Sequence, residues 1–140
     1  MSDEFKMPHF FLGANSPCGF ISYFEQLYHL GDGWHLYILK GGPGTGKSTL
    51  MKRIASYALA REYPVEFIHC PSSPESLDAV ILPAQRVCIA DGTSPHILEA
   101  KYPGVSETLI DLGTCWNSRL LREKSENIIF LTDQCRKAHE

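Results

Sequence analysis

The sequence of 140 residues has no long apolar run and no leader-like segment at its N-terminus. A helix that crosses a membrane needs about 18 or more consecutive apolar residues, and no stretch of that length occurs. Residues 1–6 also lack the basic and then apolar pattern of a secretory signal. We therefore expect a cytoplasmic protein that has no membrane partner.

Closely spaced cysteine pairs are absent as well. The five cysteines stand at positions 18, 70, 88, 115 and 135, and no two of them form a C-x-x-C pattern. Neither a zinc site of that type nor a dithiol redox motif is therefore indicated. Cys88 lies in an apolar run and is expected to be a small core residue. We expect all five thiols to be reduced, as is usual in the cytoplasm.

Positive charge is sparse, and it forms no stripe along the sequence. There are 13 lysines and arginines against 16 aspartates and glutamates, which gives a net charge of −3. A surface that binds nucleic acid usually concentrates basic residues, so we expect no nucleic-acid partner. The apolar content of 44% is ordinary for a globular protein, and the length predicts a single domain, residues 1–140.

One glycine-rich segment matches the phosphate-binding pattern G-x-x-x-x-G-K-[ST] in full. Glycines let the backbone adopt a positive φ and approach a phosphate, so that N–H groups converge on the anion. Lys47 would bring its charge to the β- and γ-phosphates as the catalytic residue, and Ser48 would offer its hydroxyl to Mg²⁺. The predicted nucleotide-binding residues are Gly41, Gly42, Pro43, Gly44, Thr45, Gly46, Lys47, Ser48 and Thr49.

The segments on either side of this loop predict the strand and the helix that the motif requires. Residues 34–39 are apolar and β-prone, which indicates a buried strand. After the loop, apolar residues recur at helical spacing up to Pro64. A helix that begins near Lys47 would add free N–H groups and the positive end of its dipole. We therefore predict that the chain binds a nucleoside triphosphate, with ATP and Mg²⁺ as cofactors.

A phosphate-loop enzyme also needs a carboxylate near Mg²⁺, usually at the end of a neighbouring apolar strand. Asp91 and Asp133 each follow a short apolar run. The run before Asp133 continues at helical spacing, so we prefer Asp91 and predict that it binds the metal together with Ser48. Gly92 follows Asp91, whereas many motor ATPases have a glutamate there that orients water. This difference favours slow hydrolysis. The sequence has no N-K-x-D motif, which disfavours GTP.

Alternating strands and helices predict an α/β fold, a three-layer P-loop NTPase core with a parallel sheet. Besides residues 34–39, strands are predicted at 65–69 and 86–90. Helices are predicted from Ser16 up to Gly31, after the glycine loop, at 73–81, at 107–112 and from Ser125 onward. Because about three strands would leave the sheet incomplete, we expect either self-association or a missing C-terminal part, and a poor enzyme.

Several other residues could reach the site, although ordinary packing or solvent exposure explains each of them at least as well. A histidine and a cysteine end the second predicted strand, and another histidine follows the third. Two arginines lie one helical turn apart, and one polar and one aromatic residue could flank a base. These residues are His69, Cys70, His96, Arg119, Arg122, Asn15 and Phe20.

Four segments carry a family resemblance: FLGAN at 11–15, GPGTGKST at 42–49, DGTSPH at 91–96 and KYPG at 101–104. They resemble an uncharacterised family of bacterial P-loop ATP-binding proteins, and the resemblance covers most of the chain. DGTSPH and YPG are more particular than the phosphate loop, which very many ATPases share. Proteins of this family are much longer and carry a second P-loop unit. The resemblance therefore implies that this chain is an N-terminal part, and it implies ATP but no substrate.

We accordingly expect an ATP-binding P-loop NTPase that binds MgATP and can hydrolyse it. Two alternatives remain open. One is a kinase that acts on a small molecule or a nucleotide, for which the sequence indicates neither an acceptor pocket nor a lid. The other is a nucleotide-sensing module without catalysis, which agrees with the glycine after Asp91. Measurement of phosphate release would distinguish the three functions. Release without an acceptor would indicate an ATPase, release only with an acceptor would indicate a kinase, and no release would indicate a sensor.

Overall fold

The computed structural model describes residues 7–93 and 95–139. The described elements comprise eight strands, three α-helices and two 3₁₀ segments. The strands are β1 (His9–Phe10), β2 (Gly13–Ser16), β3 (Gly19–Ser22), β4 (His35–Lys40), β5 (Glu66–His69), β6 (Leu77–Leu82), β7 (Val87–Asp91) and β8 (Glu107–Asp111); the helices are α1 (Lys47–Leu59), α2 (Ser118–Glu123) and α3 (Ser125–His139); the 3₁₀ segments are Phe24–His29 and Leu112–Cys115.

Six of these strands form one sheet, in the order β1-β5-β6-β7-β4-β8. β6 pairs antiparallel with both of its neighbours, whereas the other three pairings are parallel. The chain is thus an α/β protein with a mostly parallel six-stranded sheet, and the predicted α/β class is confirmed. The prediction of about three strands is wrong, because β1, β6 and β8 join the three strands that the sequence indicated.

Both faces of the sheet are covered, and β4 contributes to each because its side chains alternate. On one face, Leu39 packs with Met51 of α1. On the other, Leu36 and Ile38 pack with the 3₁₀ segment Phe24–His29. Ile38, Leu39 and Met51 are fully buried. The strand that leads into the glycine loop is therefore held from both sides, so the position of the loop is fixed by the core.

The predicted helix from Ser16 is wrong: β2 and β3 form an antiparallel hairpin there, followed by the 3₁₀ segment. The Ser16 hydroxyl donates to the Gly19 carbonyl at 2.7 Å and accepts from the Cys18 N–H at 3.2 Å. Gly19 has a φ of 113°, which other residues rarely adopt. The serine and proline therefore begin a turn and do not cap a helix.

Two further predicted helices are strands. Residues 77–82 form β6, all of whose residues are buried between β5 and β7. Residues 107–111 form β8, whose exposed and covered positions alternate at the edge of the sheet. Both predictions are wrong for one physical reason. Apolar spacing in so short a segment fits a helix turn and a strand equally well, and strand pairing decides between them.

The two C-terminal helices follow β8. α3 begins at Ser125 as predicted, and the side chains of residues 122–138 are all exposed. None of the described helices combines the length and the apolar character that crossing a membrane would require.

Candidate functional site

The glycine loop, residues 41–46, joins the end of β4 to the start of α1. Gly41, Gly44 and Gly46 have φ values of 143°, 76° and 90°. A Cβ added at Gly41 would lie 2.9 Å from the Thr45 Oγ1, so even the smallest side chain would force Thr45 to shift. The Thr45 hydroxyl closes the turn by donating to the Gly42 carbonyl at 2.8 Å. The glycines therefore permit a tight turn that other residues would obstruct.

The N-terminus of α1 points its free donors toward this loop. Its N-cap residue is Gly46, which has no side chain to accept a hydrogen bond from the first-turn N–H groups. These groups and the helix dipole give the N-terminus a partial positive charge. The combination of a glycine turn and an open helix N-terminus favours binding of an anion.

The Lys47 side chain folds back over the loop. Its Nζ donates to the carbonyl oxygens of Gly41 at 2.7 Å and Gly42 at 3.0 Å, and it lies 4.0 Å from the Asp91 Oδ2. Only 10% of the side chain is exposed. The ammonium group is thus held at the loop by backbone acceptors and by a carboxylate, with no freely rotating chain to be ordered when a ligand binds.

Asp91 lies at the carboxyl end of β7, where it pairs with Leu39 at the end of β4. Its Oδ1 accepts from the Thr93 N–H at 2.9 Å and from the Thr93 hydroxyl at 2.5 Å, which fixes the carboxylate. Asp133 lies on the exposed helix α3, where its Oδ1 is 3.9 Å from the Arg136 Nη1. The Asp91 carboxylate therefore lies near the glycine loop, whereas the Asp133 carboxylate is exposed on α3.

Ser48 is at the first turn of α1, and its Oγ accepts from the Leu77 N–H at 3.0 Å. Ser48 and Asp91 line the same cavity, which measures about 300 Å³. This volume lies at the lower end of the range for small-molecule sites. The predicted loop residues that line it are Gly44, Thr45, Gly46, Lys47, Ser48 and Thr49. Besides Asp91, its other lining residues are Cys70, Ser73, Ser76, Leu77 and Asp78.

The sequence reasoning missed Asp78, a cavity residue in β6 that is only 3% exposed. The register of β5 against β6 shifts here, since Ile68 pairs with Ala79 and His69 with Leu77. Asp78 is therefore the extra residue of a bulge, and bulges commonly redirect a side chain. A lone carboxylate in the apolar run LDAVIL was the available signal, because a charge in such a run needs a partner.

The partner of Asp78 is His96. The His96 Nε2 lies 3.2 Å from the Asp78 Oδ1, and the imidazole stacks on Phe24 with ring centroids 4.1 Å apart. Burial alone would lower the pKa of His96, but the hydrogen bond and the charge of Asp78 outweigh burial and raise that pKa above its usual value. His96 is thus a buried partner of a carboxylate at the site, and solvent exposure does not account for its position.

The structure also explains the residue that follows Asp91. A Cβ on Gly92 would overlap the Ile38 Cγ2 and would lie 3.1 Å from the Leu98 carbonyl oxygen. A glutamate could not occupy this position without moving the core. Any group that orients water at this site must therefore come from another part of the chain.

The remaining candidate residues divide between the site and the surface. Cys70 lines the cavity, while the His69 Nδ1 lies 2.7 Å from the Pro74 carbonyl oxygen and its Nε2 lies 2.7 Å from the His9 ring. Arg119 is exposed on α2, 3.5 Å from Glu123. Arg122 also lies on α2, whereas Asn15 donates to the Ser72 hydroxyl and Phe20 lies near His96.

No known protein family, curated protein or solved structure matches this chain. The resemblance to bacterial P-loop ATP-binding proteins therefore stays a prediction. What the site does must be inferred from its own residues.

Proposed function

We propose that this chain is a P-loop NTPase that binds MgATP in the cavity between the glycine loop and β6. One observation carries the proposal. The complete motif lies between a strand and a helix, with Lys47 bound to the carbonyls of Gly41 and Gly42 beside the carboxylate of Asp91. A glycine turn without a phosphate ligand would need neither an inward-facing lysine nor a carboxylate at the next strand end.

Each part of the site would contribute differently to the binding of MgATP. The loop N–H groups and the N-terminus of α1 would surround the phosphates, and Lys47 would move from the loop carbonyls to their oxygens. Ser48 and Asp91 both offer oxygen donors in the same cavity, which suits Mg²⁺ as a hard cation. When bound, Mg²⁺ would neutralise charge on the β- and γ-phosphates. Catalysis would then rest on positioning and on charge stabilisation.

A second candidate function is a nucleotide sensor that does not turn over. The crowding at Gly92 favours it, because a water-orienting glutamate cannot stand at that position. Measurement of phosphate release separates the two functions. Release without an acceptor supports the ATPase, release only with an added acceptor supports a kinase, and tight binding with neither supports the sensor. A cytoplasmic location belongs to the same proposal, since ATP and Mg²⁺ are supplied there.

The test is a thermal melt with and without millimolar MgATP. Ligand at 100 times its Kd adds about 2.7 kcal/mol to the free energy of unfolding. For a domain of this size Tm should rise by about 5–15 °C. AMP should give a much smaller rise, since it lacks the β- and γ-phosphates that Lys47 would contact.

The Lys47→Ala variant sharpens the test. It should bind MgATP at least tenfold more weakly in calorimetry, because the charge for the phosphates is lost. Lys52→Ala is the matched control: it removes an exposed lysine five residues further along α1, where it should leave affinity unchanged. Equal affinity of both variants, or no shift of Tm for the folded parent chain, would contradict the proposed function.

A further inference from the structure

We propose that Asp78, Asp91 and His96 form a binding site for a divalent transition-metal ion, distinct from the Mg²⁺ of the nucleotide. One ligand atom from each of these three residues lies within 4.8 Å of the other two. The three residues come from β6, the end of β7 and the segment after it, so the fold brings them together from separate positions. The site shares Asp91 with the proposed nucleotide site but does not depend on nucleotide binding.

Two of the three side chains are deeply buried and incompletely bonded. Asp78 is 3% exposed and His96 is 5% exposed. Among the described residues, the Asp78 Oδ2 and the His96 Nδ1 have no hydrogen-bond partner. A buried carboxylate oxygen without a hydrogen-bond partner destabilises the folded state. A cation held by this carboxylate would remove that penalty.

The spacing of the donors fits a small coordination sphere. Bonds of about 2.0–2.2 Å from a tetrahedral ion place two ligand atoms about 3.3–3.6 Å apart. The His96 Nε2 and the Asp78 Oδ1, which share a hydrogen bond at 3.2 Å, already lie near the lower end of this range, and a metal ion would replace the proton between them. Asp91 would have to move a little closer, and its position at the cavity wall leaves further coordination positions toward the cavity.

The set of donors selects the type of ion. An imidazole nitrogen suits Zn²⁺, Co²⁺, Fe²⁺ or Mn²⁺ better than Mg²⁺, which prefers oxygen donors and retains its waters. Lys47 places one ammonium near Asp91, which offsets only one of the two carboxylate charges of the cluster. Its hydrogen bonds to Gly41 and Gly42 direct that ammonium toward the loop.

The surroundings of the three residues hold them in place. Phe24 stacks on the His96 ring at an interplanar angle of 14°. The Thr93 N–H and hydroxyl both donate to the Asp91 Oδ1, which leaves Oδ2 as the oxygen for a metal. Outer contacts of this kind orient metal ligands, and their loss commonly weakens binding about 10–100-fold.

The experiment is a titration of the nucleotide-free chain with Co²⁺, followed by visible absorption. We expect one equivalent to bind, with the intense visible bands of a four- or five-coordinate ion. Asp78→Asn and His96→Gln should each weaken binding at least tenfold. Asp133→Asn, which removes an exposed carboxylate on α3, is the matched control and should not change it. Equal binding in all four proteins would overturn the proposal.

Two further readouts separate the three-residue site from a cysteine site and from a loss of folding. Cys70 lines the same cavity, so a strong near-ultraviolet thiolate band that disappears in Cys70→Ser would assign the ion to cysteine and overturn the proposal. Nuclear magnetic resonance of the unmodified chain serves if a buried variant does not fold. Bound Co²⁺ should shift the ring signals of His96, and unchanged signals would contradict the site. The Co²⁺ titration uses the nucleotide-free chain and the thermal melt uses MgATP without Co²⁺, so the two proposals can fail separately.

Discussion

Helices α1 and α3 have similar lengths and a similar apolar periodicity, yet their surroundings differ completely. α1 buries Met51, Ala55 and Ala58 against the sheet. All described side chains of α3 are exposed, and Ile129 and Phe130 are 61% and 62% exposed. Periodicity thus shows that a helix has an apolar side, but it does not show what covers that side. The stability of the described structure should depend on the sheet and α1, and hardly on α3.

The largest effect should come from Ile38→Ala in β4. Ile38 is fully buried between the neighbouring strands and the 3₁₀ segment, so truncation removes apolar contacts and leaves a cavity. We expect the free energy of unfolding to fall by about 2–5 kcal/mol in denaturant titrations. Ile129→Ala in α3 is the control and should change it by less than about 0.5 kcal/mol. Similar losses at both positions would break the contrast between the packed sheet core and the exposed helix α3.

Gly92→Ala should have the next largest effect. Its Cβ would overlap the Ile38 Cγ2 and would lie 3.1 Å from the Leu98 carbonyl oxygen. Overpacking of this kind costs about 1–3 kcal/mol, which a thermal melt would detect. An unchanged Tm would mean that the core beside Asp91 yields easily, and crowding would then no longer account for the absence of a glutamate after Asp91.

The Glu107→Gln variant tests how much a buried carboxylate stabilises β8 at the edge of the sheet. Glu107 is 4% exposed, and its Oε2 accepts from the Ser106 hydroxyl at 2.7 Å and from the Tyr102 N–H at 2.9 Å. Burial alone would raise the pKa of Glu107, but these hydrogen bonds outweigh burial and lower it. Replacing charged by neutral hydrogen bonds should cost about 1 kcal/mol at pH 7.

The pH dependence of this effect has a definite sign. Because the folded pKa lies below the usual 4.5, the stabilisation by Glu107 is fully present above that value and is lost as pH falls through the folded pKa. Chemical denaturation at several pH values should show Glu107→Gln and the parent chain converging in acid. A difference in the free energy of unfolding that stays constant across these pH values would show that the ionised form of Glu107 does not stabilise the fold. Glu126→Gln, at an exposed position of α3, is the control.

The smallest effect is expected for Arg119→Ala in α2. The Arg119 side chain is 91% exposed and its Nε lies 3.5 Å from the Glu123 Oε1, a pair worth about 0.3–0.5 kcal/mol. Alanine has the higher helix propensity and should offset this loss. Neither the melt nor the affinity for MgATP should change measurably. A tenfold loss of MgATP affinity would instead restore Arg119 as a phosphate ligand.

The sequence allowed the prediction of the parts of the fold that have local signals. β4, the glycine loop and α1 occur where expected, because an apolar strand, positive-φ glycines and helical spacing are each visible in the chain. β6 has no such signal. All six of its residues are buried, so the alternation that marks a strand is missing, and the preceding serine and proline resemble a helix start.

The residues of the site also differ in whether the sequence predicts them. Lys47, Ser48 and Asp91 could be predicted because a known spacing and a strand end locate them. Asp78 and His96 could not be paired from the sequence, since a bulge in β6 and the stacking on Phe24 bring them together. Contacts of this kind depend on tertiary structure, and no local pattern encodes them.

The reversed direction of β6 has a consequence for how the chain reaches its structure. β5, β6 and β7 are neighbours both in sequence and in the sheet, and short connections join them. β4 must instead pair with strands that lie far along the chain, as Leu39 does with Asp91. Loop closure is less costly for near neighbours, so we expect the three-strand meander to form first and β4 to insert later. Asp78 and Asp91 would then be side by side before the lysine of the glycine loop arrives.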